Sequence, residues 1–327
     1  MDSQIKHRNH QQEATGKTEG GRLAGYHLVD FATQIYLFTV TLLILGFRGV
    51  PFWLPLALAH LVGMVAVHAL VVAHARRPEH RGLRLFRFLY PLILYVPLYT
   101  ETGILNLMIF PRYLDASFMA AEQWLFGFQP GIDLMSWMPW LPLSELLYFA
   151  YFTYFFQVTV GGLYLYFTNR RACAHFVAMV SVVFYVCYLL FILLPVIGPP
   201  KFWLGVPEFA IESTAELAAE YNVEQPLEFP ENVSSGPFFQ IMLVIYKVAE
   251  YPGGAFPSSH VAVALVVLYM VGKYIRRLWW PMLIITVLLS IATVYCRYHY
   301  AIDVFAGIAL TAILIPVVNR LHQRFLD

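Results

Sequence analysis

Eight runs of about 20 predominantly apolar residues divide this chain, near 30–49, 52–75, 84–110, 143–168, 173–197, 257–273, 279–297 and 300–319. A run of that length is long enough to cross the hydrocarbon of a bilayer as a helix. Lipid offers no partner to an unpaired backbone N–H or C=O, so each crossing segment must close its hydrogen bonds internally. The expected fold is therefore all-α, a polytopic membrane bundle of about eight transmembrane helices. Composition agrees: 59% of the 327 residues are hydrophobic and only 13% are charged, against roughly 25% charged in soluble domains. Mean hydropathy is +0.63. These values exclude a disordered chain, a polar solenoid and a secreted disulfide scaffold. A net charge of +1 gives no reason to expect a nucleic-acid partner. Cys173, Cys187 and Cys296 stand singly in apolar stretches and read as small core hydrophobes.

Residues 1–28 are polar and read as a flexible cytoplasmic tail, 29–110 as N-terminal transmembrane helices, and 111–327 as a membrane catalytic domain. The stretch 111–142 is broken by Pro111, Pro130, Gly131 and Pro139 and reads as interfacial, with Trp124, Trp137 and Trp140 at headgroup depth. One long external loop, roughly 198–256, carries glutamates every fourth residue from Glu208 to Glu228, a solvated stripe; Phe238 to Val248 reads as a second interfacial helix. Sixteen of the 21 Lys and Arg fall on one side of the eight-span arrangement, Arg76, Arg77, Arg81, Arg84, Arg87, Arg170 and Arg171 among them. The positive-inside rule makes that side cytoplasmic, with both termini on it. Arg48, Arg112, Lys201, Lys247 and Arg297 are left on the external side.

Chemistry concentrates in two segments that this topology brings to the external face. Gly253-Gly254-Ala255-Phe256-Pro257-Ser258-Ser259-His260 opens the sixth span. Glycines and a proline set a turn, two hydroxyls follow, and the free N–H groups of a helix N-terminus face outward, which suits an anion. Arg297-Tyr298-His299-Tyr300-Ala301-Ile302-Asp303 opens the eighth. His299 and Asp303 stand four apart on one helix face, so the carboxylate can fix the imidazole tautomer and leave the other ring nitrogen as a nucleophile toward phosphorus. Arg297 can neutralise phosphoryl oxygens, and a second histidine, His260, can protonate a leaving oxygen.

Pro257-Ser258-Ser259-His260 followed by Arg297, His299 and Asp303 resembles the type 2 phosphatidic acid phosphatase superfamily of membrane lipid phosphatases and phosphotransferases. The resemblance covers roughly 110–320. It implies His260 as general acid, His299 as nucleophile and Asp303 as its orienting carboxylate, acting through a phosphohistidine without metal or other cofactor. Leu125-Phe126-Gly127-Phe128-Gln129-Pro130, Gly198-Pro199-Pro200 and Arg297-Tyr298-His299-Tyr300 resemble the inositol phosphotransferase branch, which includes inositol phosphorylceramide synthases. Two departures stand out. A first-motif lysine six residues before Arg-Pro is absent, and Lys201 is the substitute candidate. Arg297 precedes the histidine by two positions rather than the six of the phosphatase pattern.

The implied partners are a phospholipid or lipid phosphate substrate and the surrounding membrane lipids. Ser258, Ser259, Arg297, Lys201 and Gly254 are the candidate substrate-binding residues, and no metal site is expected. Each has a plainer alternative: the serines can cap a helix, Lys201 can anchor at the interface, and His60 and His68 can bond neighbouring helices. Hydrolysis and transfer share the first half-reaction and are not separated by residue type. A transporter relaying protons through its intramembrane histidines is the alternative class; a metal or haem protein using His60, His68, His260 and His299 lacks the usual ligand spacings.

Overall fold

Apolar runs fold here as lipid requires, with the backbone hydrogen bonds of each run closed inside its own helix. The computed structural model describes residues 25–199, 202, 219–221, 228–248 and 254–324; among these all regular structure is helical. The chain forms α1 (Leu28–Phe47), α2 (Trp53–Arg76), α3 (Arg81–Leu105), α4 (Asp115–Phe126), α5 (Pro130–Trp137), α6 (Leu141–Thr168) and α7 (Arg170–Leu193). After them come α8 (Glu231–Ser234), α9 (Pro237–Val248), α10 (Ser259–Tyr274), a 3₁₀ turn at Arg276–Leu278, α11 (Trp279–Tyr295) and α12 (Ala301–Arg324). The tail read at residues 1–28 lies outside the described residues up to residue 24, as does most of the Glu208–Glu228 stripe.

Among the described residues seven stretches are long and apolar enough to cross a membrane: α1, α2, α3, α6, α7, α12 and the continuous Arg276–Tyr295 segment that contains α11. The chain is thus an integral, multi-pass membrane protein. The expected span at 257–273 is α10, which has 16 residues. At 1.5 Å per residue it covers about 24 Å, short of the roughly 30 Å of hydrocarbon. It starts late for a local reason. Pro257 lacks an N–H, and Ser258 sits in extended conformation as the N-cap, its Oγ accepting from the Val261 N–H.

α7 is the hub. Of its apolar window 72% is buried, more than for any other span, and it packs on α1, α3, α6, α10 and α12. Asn169 ends α6 and caps α7 in one residue, its Oδ1 accepting from Ala172 N–H at 3.1 Å. At the same end Asp30 of α1 accepts from Arg87 and, at 2.8 Å, from Tyr90, so a fully buried carboxylate clips α1 to α3. Glu145 of α6 accepts from the Phe238 and Phe239 N–H groups at 2.8 and 3.2 Å, supplying α9 with the N-terminal acceptors that its own sequence lacks.

The 111–142 stretch folds as the short helices α4 and α5 with Trp124, Trp137 and Trp140 exposed. One contact positions the site. α12 lies against the entry of α10 at Gly307, where a Cβ would sit 2.7 Å from the Ser258 carbonyl oxygen. One turn on, Thr311 Oγ1 reaches the Ala262 carbonyl at 3.2 Å.

Candidate active site

The two motif segments meet at the N-terminal ends of α10 and α12. The entry to α10 is shaped by Gly254, whose φ of +89° is a left-handed conformation; a Cβ there would approach Tyr99 to 3.0 Å and Phe191 to 3.2 Å. Ala255 N–H donates to the Val196 carbonyl at 3.1 Å and Ser258 N–H to the Asp303 carbonyl at 3.0 Å. The second of these bonds fixes the start of α10 to the start of α12. The link between α11 and α12 turns tightly, with Tyr298 and His299 N–H both donating to the Thr293 carbonyl at 3.0 and 2.9 Å.

Three side chains come together there. His299 Nδ1 lies 3.1 Å from Asp303 Oδ2, and the same oxygen accepts from the Tyr300 N–H at 3.0 Å. His260 Nδ1 lies 3.3 Å from His299 Nε2. A carboxylate only accepts, so Asp303 places the His299 proton on Nδ1 and leaves a lone pair on Nε2. His260 Nδ1–H then donates to that lone pair, and its Nε2 accepts from the Tyr151 hydroxyl at 2.9 Å. Tyr151 is bonded in turn to the Tyr246 hydroxyl at 2.5 Å. One ordered chain of donors therefore runs Tyr246, Tyr151, His260, His299, Asp303. Burial pushes the His299 imidazole down to about 4, so it is neutral at physiological pH.

Asp115 and Glu122 of α4 support this chain from behind. Asp115 is fully buried and accepts from the Ile197 and Gly198 N–H groups at 3.0 and 2.9 Å and from the Tyr300 hydroxyl at 3.0 Å. Glu122 accepts from the Ile302 N–H at 3.2 Å, beside Asp303. Burial raises both acids, Asp115 to about 6 and Glu122 to about 7. Tyr151, Tyr154, Asp115 and Glu122 were not among the sequence candidates. The Asp115 contact spans 185 residues and the Tyr151 contact 109, and residue type marks neither. The one signal available was the presence of acids, Asp115, Glu122 and Asp133, in the aromatic-rich 111–142 stretch.

The remaining candidates divide. Ser258 caps α10 and is fully buried; Ser259 is the first residue of the helix and is 5% exposed. Lys201 lies outside the described residues. Arg297 departs from the expectation of a cation facing phosphate. Its guanidinium donates to the Glu228 carbonyl at 2.7 Å, the Ser136 hydroxyl at 3.1 Å and the Ile132 carbonyl at 3.4 Å, and Phe229 lies under it at 5.3 Å. Its backbone φ of 67° directs the side chain to these acceptors. His60 and His68 are engaged elsewhere, His60 with Glu101 at 3.3 Å and His68 with Tyr26 at 2.7 Å. Among the described residues no three His, Cys, Asp or Glu side chains are grouped as metal ligands.

An aromatic box surrounds His260: the Tyr154 ring lies 4.4 Å away and the Tyr151 ring 4.9 Å. Such a box limits water near the imidazole and holds its plane. A family model described as PAP2 superfamily matches residues 116–317, more than half of the chain. Comparisons with curated proteins and with solved structures find no match.

Proposed function

The chain belongs to the PAP2 superfamily, a group of phosphatase-type phosphoester chemistry, and from that premise we propose that it is a lipid phosphoesterase or phosphotransferase acting through a phosphohistidine. His299 Nε2 attacks phosphorus; the N–P bond forms as the bond to the leaving oxygen breaks. His260, neutral in the resting arrangement, takes up a second proton as the anionic substrate binds; as an imidazolium it transfers its Nδ1 proton to that leaving oxygen and is left neutral. Asp303 holds the His299 Nδ1–H and stabilises the positive charge that develops on the ring. In the second half-reaction water or a lipid hydroxyl loses its proton to His260 and attacks the phosphohistidine, breaking the N–P bond. No step requires a metal. The observation that carries this reading is the contiguous His260–His299–Asp303 line, 3.3 and 3.1 Å between successive groups, in which one nitrogen lone pair is free of its own proton.

The substrate is a phosphorylated lipid of the external leaflet, with both chain termini cytoplasmic, as the distribution of Lys and Arg supports. The motifs at 125–130, 198–200 and 297–300 favour transfer of a headgroup such as inositol phosphate to a lipid hydroxyl over simple hydrolysis. The test is incubation of purified protein in EDTA with labelled phosphatidylinositol, phosphatidic acid or prenyl diphosphate, with and without diacylglycerol or ceramide. A new acceptor-dependent phospholipid establishes transfer, and free phosphate without acceptor establishes a phosphatase. Activity that returns only on adding metal overturns the mechanism.

A further inference from the structure

At the end of the bundle opposite the histidines, α1, α3, α6 and α7 enclose a cavity of about 190 Å³ that the proposed chemistry does not use. Its two halves differ in kind. The mouth is basic: Arg84 and Arg87 come from the first turns of α3, Arg170 from the first residue of α7, and His74 from the last turn of α2. The inner wall is apolar, built from the stacked Phe88 and Tyr166 rings, 5.0 Å apart, and from Ala174 and Val177.

Charge at the mouth is not balanced. Asp30 is the acid paired with Arg87, whereas Arg84 and Arg170 make no ion pair among the described residues; Arg170 lies over the Tyr166 ring at 5.4 Å. Arg87 is 6% exposed, lines the cavity, and keeps its Nε–H without a hydrogen-bond partner. A buried guanidinium N–H in that state normally finds an acceptor. The N-terminus of α7 adds its partial positive charge at Arg170. A phosphate group would accept from Arg87 and bridge the two unpaired arginines, while hydrocarbon attached to it would lie along Phe88, Tyr166 and Val177.

We propose that this cavity is a binding site for an anionic phospholipid of the leaflet on the basic side, separate from the substrate site. Basic pockets between transmembrane helices on the cytoplasmic side recognise anionic headgroups by this chemistry. Amphiphilic shape selects a lipid over free phosphate, since inorganic phosphate would leave the apolar wall unused.

The experiment measures binding of dihexanoyl phosphatidic acid, inorganic phosphate and dihexanoyl phosphatidylcholine to the full-length protein in neutral detergent, in a His299→Ala background so that no probe is consumed. The expected result is tightest binding of the phosphatidic acid, weakened about tenfold or more by Arg84→Gln with Arg170→Gln. The control pair Arg276→Gln with Arg277→Gln removes equal charge from exposed positions at the same end, outside the cavity, and should change affinity less than about twofold. Ala174→Phe, which keeps every charge and fills the apolar wall, should displace the phosphatidic acid and spare inorganic phosphate. Equal losses in both arginine pairs would show a diffuse surface field and overturn the site. Equal affinity for inorganic phosphate would overturn the lipid assignment, as would phosphatidylcholine binding that matches phosphatidic acid. Catalysis is not a readout, so the outcome is independent of the phosphohistidine mechanism.

Discussion

Tyr151 and Arg297 show how far a side chain's role depends on what it touches. The Tyr151 hydroxyl holds the Nε2 of His260 and is itself held by Tyr246, so in the proposed mechanism it acts as a positioning residue for the proton that His260 would deliver. Tyr151→Phe should lower kcat about tenfold with KM little changed, and should alter the pH profile of kcat; an unchanged profile would show that the hydroxyl only packs. His299→Ala should abolish the labelled phosphoenzyme and cost several orders of magnitude in rate, since a covalent nucleophile is lost; a phosphoenzyme surviving in that variant would refute the assignment. Arg297 gives the opposite expectation. It is 1% exposed and shared among Glu228, Ser136 and Ile132, so Arg297→Met should lower thermal stability, by about 1–3 kcal/mol for each acceptor left unsatisfied in the interior. A phosphate ligand would instead show a raised KM at unchanged stability, and the two measurements together decide between these roles. That Arg297 and His299 share a motif was legible in the chain. That they face different neighbours was not, because the left-handed turn at Arg297 sets the direction of its side chain.

At the level of helices, the site depends on two close approaches. α12 reaches α10 only because residue 307 is glycine, and a Cβ there would press on the Ser258 carbonyl at 2.7 Å. Gly307→Val should force the helix starts apart and break the Ser258 to Asp303 backbone bond; activity should fall more than tenfold while the spans remain folded by circular dichroism. α4 makes the second approach through Glu122, raised to about 7 by burial from an ordinary value of 4.5. The sign follows from proton binding. Below pH 4.5 both folded and unfolded forms hold the proton and the full stability is present. Between 4.5 and about 7 the unfolded carboxyl ionises while the folded one stays protonated, so stability falls as pH rises, by roughly 3 kcal/mol at most. Glu122→Gln removes that slope and keeps an acceptor for Ile302 N–H, so its thermal midpoint in detergent should exceed that of the unmodified protein at pH 8 and match it near pH 4. A midpoint difference independent of pH would place the carboxyl outside this linkage.

For the whole molecule, the histidine line stands at the N-terminal ends of α10 and α12 and the arginine-rich cavity at the far end of the bundle between α1, α3, α6 and α7, which predicts that the two lie on opposite faces of the membrane. An impermeant thiol reagent should label Cys introduced at Arg277 from the cytoplasmic side only; labelling from the outside would reverse the proposed orientation. The chain by itself determined the membrane class, the all-helical fold and the positions of seven long spans, because each rests on apolar run length, and the closeness of His299 and Asp303, because they are four residues apart; the shared helix face expected for them is not formed, since His299 sits in the turn ahead of α12 and only Asp303 lies in its first turn. Tertiary structure alone decided that Asp115 and Glu122 brace the turn behind His299 and that Tyr151 completes the donor chain. Those contacts join residues 109 to 185 positions apart. In a chain with 21 tyrosines and 26 phenylalanines, every span offers aromatic side chains to its neighbours, and only the packing of helices around α7 selects which of them meet.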